Sequence, residues 1–209
     1  MSDSPTPVES ASAESSLIEL VGIMARLRAE CGWKAAQTHR TLAKHLLEET
    51  YETIEAIEAL DSGGSPDHLR EELGDVLLQV YLHAAIAAQA GEFDIEDVAR
   101  GLREKMIRRN PHVFGDVRET DPVRINETWE SVKAAEKQRT DLLEGIPLEL
   151  PALSRAAKVL DRLERAGTPV ETGGSTEIGD RLLALVAEAR QTGVDPEQAL
   201  RDAVRRVSA

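Results

Sequence analysis

Apolar residues recur every three or four positions along most of this chain, and this spacing limits the fold more than any other feature. Between residues 41 and 61, one apolar face carries Leu42, Leu46, Ile54, Ile57 and Leu60. Such spacing places apolar side chains on one face of an α-helix. No segment keeps the alternation of apolar and polar residues that a half-buried strand requires. The sequence therefore predicts an all-α fold.

Turn and capping residues divide this pattern into separate helices. Ser62-Gly63-Gly64 ends one helix, and Ser65-Pro66 begins the next with a capping serine followed by proline at the first helical position. The same reasoning predicts a loop over residues 31–39 and an irregular stretch over residues 112–122. We expect helices over residues 17–31, 41–61, 66–91, 95–109, 123–137, 151–166, 176–192 and 196–207.

The composition and charge of the chain indicate which kinds of binding partner and which cellular compartment to expect. The 209 residues carry a net charge of −13, which repels nucleic acid and anionic membranes. Cys31 is the single cysteine, so no intramolecular disulfide forms. The longest apolar stretch, residues 76–90, is too short and too interrupted to span a bilayer, and the N-terminus lacks the features of a signal peptide. We expect a cytoplasmic protein that binds neither nucleic acid nor membrane.

Two groups of acids lie on consecutive predicted helices. Glu48, Glu49 and Glu52 lie within about one turn of the second helix, and Glu72 and Asp75 are three residues apart on the third. The short loop between these helices predicts an antiparallel hairpin. The two groups can therefore meet.

The third helix makes a metal the better explanation of these acids. It is apolar on nearly every side except for one polar stripe, formed by Glu72, Asp75, Gln79 and His83. Converging buried carboxylates repel one another, and the second helix has no lysine or arginine after Lys44 to offset them. Oxygen ligands without cysteine favour Mg²⁺, with Mn²⁺ as a substitute, over zinc. No histidine follows a glutamate by three residues, which disfavours a di-iron site.

A binding site for phosphate groups would also need cations. Lys105 and Arg109 lie one turn apart near the end of the fourth predicted helix. A basic helix end also complements the helix dipole in proteins of any function, so both interpretations stay open. The acids, likewise, would form a solvated face in a catalytically silent helical interaction module.

The ordered set of motifs resembles the MazG family of nucleoside triphosphate pyrophosphohydrolases. The segments that carry the resemblance are Cys31-Gly32-Trp33, Gln37-Thr38-His39, Glu48-Glu49-Thr50-Tyr51-Glu52, Glu72-Leu73-Gly74-Asp75, Arg109-Asn110-Pro111-His112-Val113-Phe114 and Trp129-Glu130 with Lys133. The resemblance implies the helical-hairpin fold of the all-α NTP pyrophosphatases. It also implies hydrolysis of NTPs or dNTPs to a nucleoside monophosphate and pyrophosphate, in the housecleaning of nucleotide pools. A narrow dUTP or dCTP pyrophosphatase is the alternative within the superfamily.

The resemblance also implies roles for individual residues. Glu49, Glu52, Glu72 and Asp75 would hold Mg²⁺, and Glu48 would orient or deprotonate the attacking water. The substrate would be bound by Lys105, Arg109, Trp129, Trp33 and Lys133. A homodimer or higher homo-oligomer is implied too, and a partner's hairpin would complete a four-helix core around the apolar third helix.

The chain is expected to hold one complete domain and part of another. We predict a disordered tail over residues 1–15, a catalytic domain over 16–139, a linker over 140–150 and a degenerate second MazG-like half-domain over 151–209. Within the last range, Glu177-Ile178-Gly179-Asp180 repeats the pattern of Glu72-Leu73-Gly74-Asp75, but no Glu-Glu-x-x-Glu motif precedes it. The half-domain is therefore expected to do no chemistry.

Overall fold

The computed structural model describes the backbone of residues 11–116, 118–137 and 141–208. Its helices, in chain order, are α1 (Ala11–Glu30), α2 (Gly32–Ala35), α3 (His39–Asp61), α4 (Pro66–Gln89), α5 (Ile95–Arg109), α6 (Pro111–Phe114), α7 (Pro122–Lys137), α8 (Ala152–Arg165), α9 (Ile178–Gln191) and α10 (Pro196–Ser208). Within these ranges no residue belongs to a strand. The prediction of an all-α fold is confirmed.

The chain divides into two compact units, one ending at Asp121 and the other beginning at Pro122. The division falls inside the range 16–139 that we predicted as the catalytic domain, and it places α7 in the second unit. The predicted boundaries between functional domains stay a prediction.

The hairpin of α3 and α4 is set by local signals at each end of its helices. The Thr38 side chain accepts a hydrogen bond from the Thr41 backbone N–H, and the Thr41 side chain accepts one from Thr38 in return, which caps the start of α3. Gly63, with a φ of +85°, turns the chain after α3, where a side chain would be strained. Ser65 then caps α4 ahead of Pro66 at its first turn, as predicted. The hairpin geometry thus follows from short-range sequence signals.

The core of the first unit lies where α1 packs on this hairpin. Its buried members are Met24, Leu42, Tyr81 and Leu82. Partly buried side chains packed against them are Leu20, Leu27, Leu77, Leu78, Ala85, Ile86 and Ile95. The Tyr81 hydroxyl donates to the Leu17 carbonyl oxygen at 2.8 Å, which satisfies a polar group at the core's edge. Helices α1, α3 and α4 therefore share one apolar centre.

Three segments differ from the predicted boundaries. Helix α1 begins at Ala11, inside the predicted tail, while residues 1–10 of that tail lie outside the described residues. The predicted loop over 31–39 contains the single-turn helix α2, and the predicted irregular stretch over 112–122 overlaps α6, which begins one residue earlier. Both short helices have a single turn and therefore no amphipathic face. Hydrophobic periodicity detects a helix through such a face, so it does not predict these two.

Arg28 fastens the segment around α2 to the hairpin. Its guanidinium donates to the carbonyl oxygens of Lys34 and Gln37, and to Gln89 Oε1 on α4 at 2.7 Å. Backbone carbonyls that α2 leaves without helical partners are satisfied in this way. The segment that carries Trp33 is therefore held to both α1 and α4.

The described part of the second unit has two buried apolar side chains and an ionic contact between α8 and α9. Leu160 on α8 and Val186 on α9 are its buried side chains among the described residues. Arg190 on α9 reaches Glu164 at 2.9 Å and Asp161 at 3.5 Å, both on α8. Helix α8 is thereby joined to α9.

None of the described helices combines the length and the apolar character needed to cross a membrane.

Candidate metal and substrate site

Three of the predicted carboxylates meet between α3 and α4. One oxygen each of Glu49, Glu72 and Asp75 can be chosen so that all three lie within 4.8 Å of one another. All three side chains are partly buried. The antiparallel hairpin thus brings together acids that are up to 26 positions apart in the sequence. We call this group the acidic cluster.

The pKa of Glu49 is raised above its ordinary value of 4.5. Burial is the largest cause, followed by the charge of Asp75 and then by Glu52, through both its charge and a side-chain hydrogen bond; Glu72 contributes least. A hydrogen bond between two carboxyl groups needs a proton on one of them. Without a cation, the cluster therefore keeps a proton more tightly than separate acids would.

Glu52 and Glu48 lie beside the acidic cluster in different ways. Glu52 is exposed and bonds to Glu49, and within the described residues it does not belong to the group of three. Glu48 is exposed as well, and its Oε2 lies 2.9 Å from His45 Nδ1. Of the Glu-Glu-x-x-Glu motif, the structure therefore turns the middle glutamate inward.

Sequence reasoning missed two histidine partners of these acids. His45 pairs with Glu48, and His68 Nε2 lies 3.2 Å from Glu72 Oε1. The signal was available, because the partners are three and four residues apart on one helix, where side chains meet. Histidine, when protonated, can offset a carboxylate as lysine and arginine do.

Trp33 lies on the Glu48 side of the hairpin. Its ring meets the His45 ring edge-on, with centroids 5.9 Å apart, and Lys34 Nζ lies 4.9 Å from the Trp33 ring centroid. The Trp33 side chain is about half exposed, at 52%. Trp33, His45 and Glu48 therefore form a continuous line of contacts.

The polar stripe of α4 continues away from the acidic cluster. Gln79 is buried and His83 is partly buried. His83 Nδ1 lies 2.7 Å from His39 Nδ1 at the start of α3. The predicted stripe is thus directed toward α3, but its far end meets a histidine and not an acid.

The residues predicted to bind the substrate are spread over both units. Lys105 is exposed on α5, whereas Arg109 is buried, with 8% of its surface exposed. Trp129 and Lys133 lie on α7 in the second unit, where Lys133 Nζ is 3.0 Å from Glu130 Oε1. The roles given to these residues and to the acids stay predictions.

The acidic cluster has the chemistry of a site for a hard divalent cation. Three partly buried carboxylates offer oxygen ligands alone, which suits Mg²⁺ or Mn²⁺. The pKa of Glu49 is raised first by burial and then by the neighbouring acids Asp75, Glu52 and Glu72, as expected where carboxylates are partly buried close to one another. The donor set therefore fits a Mg²⁺ ion.

Comparison with known proteins places this hairpin in a family. The family model described as the MazG nucleotide pyrophosphohydrolase domain matches residues 37–114, which contain the whole acidic cluster. The nucleoside triphosphate pyrophosphohydrolase/pyrophosphatase MazG of Thermotoga maritima is 41% identical over 216 residues, covering 90% of this chain and 81% of that protein.

The chain belongs to the MazG family. The nucleoside triphosphate pyrophosphohydrolase of Escherichia coli K12 is 38% identical and covers 84% of this chain and 68% of its own length. An uncharacterised 26.1 kDa protein of Streptomyces cacaoi is 47% identical, covering 90% of this chain and 77% of that protein. These matches extend well beyond residues 37–114, so MazG similarity also reaches the second unit.

Proposed function

We propose that this MazG protein hydrolyses nucleoside triphosphates to a nucleoside monophosphate and pyrophosphate in a Mg²⁺-dependent reaction. The observation that carries the proposal is the convergence of Glu49, Glu72 and Asp75 within 4.8 Å. It is supported by the names of the relatives in Thermotoga maritima and Escherichia coli.

In this proposal the acidic cluster and Glu52 hold the cation. When bound, Mg²⁺ supplies a lowered pKa for water and positive charge against the phosphate oxygens. Glu49, whose pKa is raised, would have to be ionised to serve as a ligand, because a carboxylate coordinates in its charged form. Glu52 would complete the set through the oxygen that now bonds to Glu49.

Glu48 accepts the proton of the attacking water in this scheme. Its contact with His45 orients one of its two oxygens, which leaves the other for water. Protonation of Glu48 while the water oxygen bonds to phosphorus balances the step, and pyrophosphate leaves with the released electron pair. His45 and the adjoining Trp33 thereby connect the base to the segment proposed to contact the substrate.

Positive side chains would offset the charge of the triphosphate. Lys105 and Arg109 are proposed for the phosphates, with Trp129, Lys133 and Trp33 as further substrate contacts. Contacts directed mainly at the triphosphate would admit several bases, which suits a housecleaning role for nucleotide pools. These contacts would stabilise the transition state more than the bound substrate, because negative charge develops on the leaving group there.

The deciding experiment measures pyrophosphate release from a panel of ribo- and deoxyribonucleoside triphosphates, including dUTP and dCTP, with and without Mg²⁺. We expect turnover of several substrates with Mg²⁺ or Mn²⁺ and none after chelation. Activity confined to one pyrimidine nucleotide would replace the broad reaction by the narrow one. No release from any triphosphate at millimolar Mg²⁺ would favour the silent interaction module.

We also propose a homodimer built on the α3–α4 hairpin. Several large apolar side chains of this hairpin are exposed in the single chain: Leu47, Tyr51, Ile57 and Leu73. A second hairpin would cover them and complete a four-helix core. Light scattering after size exclusion should give twice the 22.8 kDa chain mass, or a larger multiple, and a monomer at micromolar concentration would contradict the proposal.

A further inference from the structure

The histidine pair of α3 and α4 has no part in the proposed hydrolysis. His39 is the first residue of α3, and His83 lies on α4, eight residues beyond Asp75. Their rings are almost parallel, at 6°, and their Nδ1 atoms are 2.7 Å apart. A contact this short needs one hydrogen between the nitrogens, because two lone pairs or two N–H groups would repel. The geometry therefore sets the number of protons at the contact to one.

Two polar atoms on α4 are buried at this pair, one on Gln79 and one on His83 itself. Gln79, which is 4% exposed, precedes His83 by one helical turn, so both share a face of the helix. Gln79 Oε1 and His83 Nε2 are buried, and neither has a hydrogen-bond partner among the protein atoms that the structure describes. Buried polar groups are nearly always paired, with protein or with ordered water, since leaving one unpaired is costly. One water can serve both atoms, because it can donate to Gln79 Oε1 and either donate to or accept from His83 Nε2.

We propose that His39, His83, Gln79 and one internal water form a polar tie between α3 and α4 that holds only while the two imidazoles share one proton at their contact. The three side chains are positioning residues, since they fix how α3 lies along α4 on one side of the acidic cluster. The effect of the tie on turnover rests on the proposed function, whereas the tie itself does not.

The tie tolerates one extra proton and no more. In the neutral pair, one ring carries its hydrogen on Nδ1 and the other on Nε2. A first added proton goes to a free Nε2 and leaves the bridging N–H in place. A second forces two N–H groups to face each other at the contact. Acid therefore breaks the tie at the second protonation.

The charges around the pair do not stabilise its doubly protonated form. Apart from the acidic cluster and the pair itself, the partly or fully buried side chains on α1 to α5 that are charged or titratable are, among the described residues, Arg28, Lys34, His45, Glu58, Tyr81 and Arg109. Glu58 is the acid in this set, and it lies ~28 Å along α3 from His39 at 1.5 Å per residue. Asp75, the member of the acidic cluster nearest to His83 along α4, is ~12 Å away on the same measure. The pKa of His83 is lowered from 6.5, first by burial and then by the charge of His39.

The sign of the pH effect follows from this direction. A histidine whose pKa is lower in the folded than in the unfolded protein binds fewer protons when folded. Its contribution to stability is complete above pH 6.5 and is lost as the pH falls below that value. The tie should therefore weaken in mild acid.

Nuclear magnetic resonance of the full chain tests the shared proton directly. Long-range correlation of imidazole ¹H and ¹⁵N at about pH 8 assigns the tautomer of each ring. We expect one of His39 and His83, and not both, to carry its proton on Nδ1. Finding both rings protonated on Nε2 would overturn the proposal.

The pH profile of stability separates a tie from ordinary packing. His39→Gln keeps a hydrogen-bonding partner for His83 Nδ1 but removes the second titrating ring. The thermal midpoint of this variant should fall less between pH 8 and pH 5.5 than that of the parent, by about 2–4 °C. The matched control is His112→Gln, on α6 outside the pair, whose profile should follow the parent. Equal profiles for His39→Gln and the parent would overturn the proposal even if the variant unfolds at a lower temperature than the parent at every pH.

The outcomes also separate this inference from the proposed function. A Nδ1–H tautomer together with a flattened profile supports the tie even in a chain that releases no pyrophosphate. A fully active enzyme with two Nε2–H histidines contradicts the tie and leaves the proposed reaction standing.

Discussion

The Thr53 hydroxyl on α3 lies 3.5 Å from the carbonyl oxygen of Glu72 on α4, directly behind the acidic cluster. The same hydroxyl donates to the Glu49 carbonyl oxygen at 2.7 Å, and Thr53 is buried. A small buried polar side chain of α3 thus contacts the backbone of two residues of the acidic cluster, one on its own helix and one on α4.

Replacing Thr53 tests how tightly this contact sets the hairpin. Thr53→Val keeps the shape but removes the hydroxyl, and it should lower the free energy of unfolding by about 0.5–1.5 kcal/mol. Thr50→Val is the matched control, because Thr50 is exposed and its hydroxyl bonds only to the Leu46 carbonyl within α3 among the contacts found. Urea denaturation of the two variants measures the difference, and an equal loss in both would remove any special role for the Thr53 contact.

The acidic cluster should be required for metal binding. Asp75→Asn and Glu72→Gln each remove a charge from the group, and turnover should fall by at least about 100-fold, or ~2.7 kcal/mol. Circular dichroism should show an unchanged helix content. Asp67→Asn, on the same helix but outside the cluster and paired with Arg70, is the control. Calorimetric Mg²⁺ binding that survives in Asp75→Asn would reject this ligand set.

Metal should stabilise the folded protein and release protons. The pKa of Glu49 is raised, so its favourable contribution in the metal-free protein is complete below pH 4.5 and is lost as the pH rises above that value. Saturating Mg²⁺ should raise the thermal midpoint by mass action, more at pH 7 than at pH 4.5. Titrations in buffers of different ionisation enthalpy should show proton release in mild acid. A midpoint indifferent to millimolar Mg²⁺ at neutral pH would contradict the site.

The basic residues of α5 should support turnover if they contact the triphosphate. Arg109→Ala should lower kcat/KM by a factor that corresponds to a loss of about 2–4 kcal/mol of transition-state stabilisation. This is the value of a desolvated charged hydrogen bond at the transition state. Since Arg109 is buried, the thermal midpoint of the Arg109→Ala variant must be measured as well. Lys105 is exposed, so Lys105→Ala removes the proposed substrate contact with little effect on folding. Arg103→Ala, exposed on the same helix, serves as the control. Unchanged kcat/KM in both variants would return these residues to a role at the helix dipole.

Residues 151–209, the predicted half-domain within the second unit, should do no chemistry of their own. Glu177 is the residue before α9 and Asp180 lies in its first turn, and neither belongs to a metal-ligand group among the described residues. Glu177→Gln combined with Asp180→Asn should leave turnover unchanged. Truncation after Gly167 removes α9 with the buried Val186 and should cost stability or change assembly. Loss of activity in the double variant, with fold and assembly intact, would indicate a second working site.

Local signals in the sequence determined the helices and the shared face of two of the three acids in the acidic cluster. The caps at Thr38 and Ser65 and the turn at Gly63 involve residues close in the chain, so the hairpin could be predicted. Glu72 and Asp75 share a face because they are three residues apart on one helix. The weakest boundaries were those of the short helices α2 and α6, which are too short to show a period.

Tertiary structure decided which side chains of these helices meet. Glu48 and Glu49 are neighbours in the sequence, yet only Glu49 joins Glu72 and Asp75 on α4, because the way α3 is rotated against α4 selects the face that meets them. The contact between His39 and His83 joins residues 44 positions apart. Helical periodicity gives a face to each helix separately, whereas the rotation and shift between two helices depend on how the core around Leu42 and Leu82 packs. That packing depends on residues far apart in the sequence, so no local pattern predicts it.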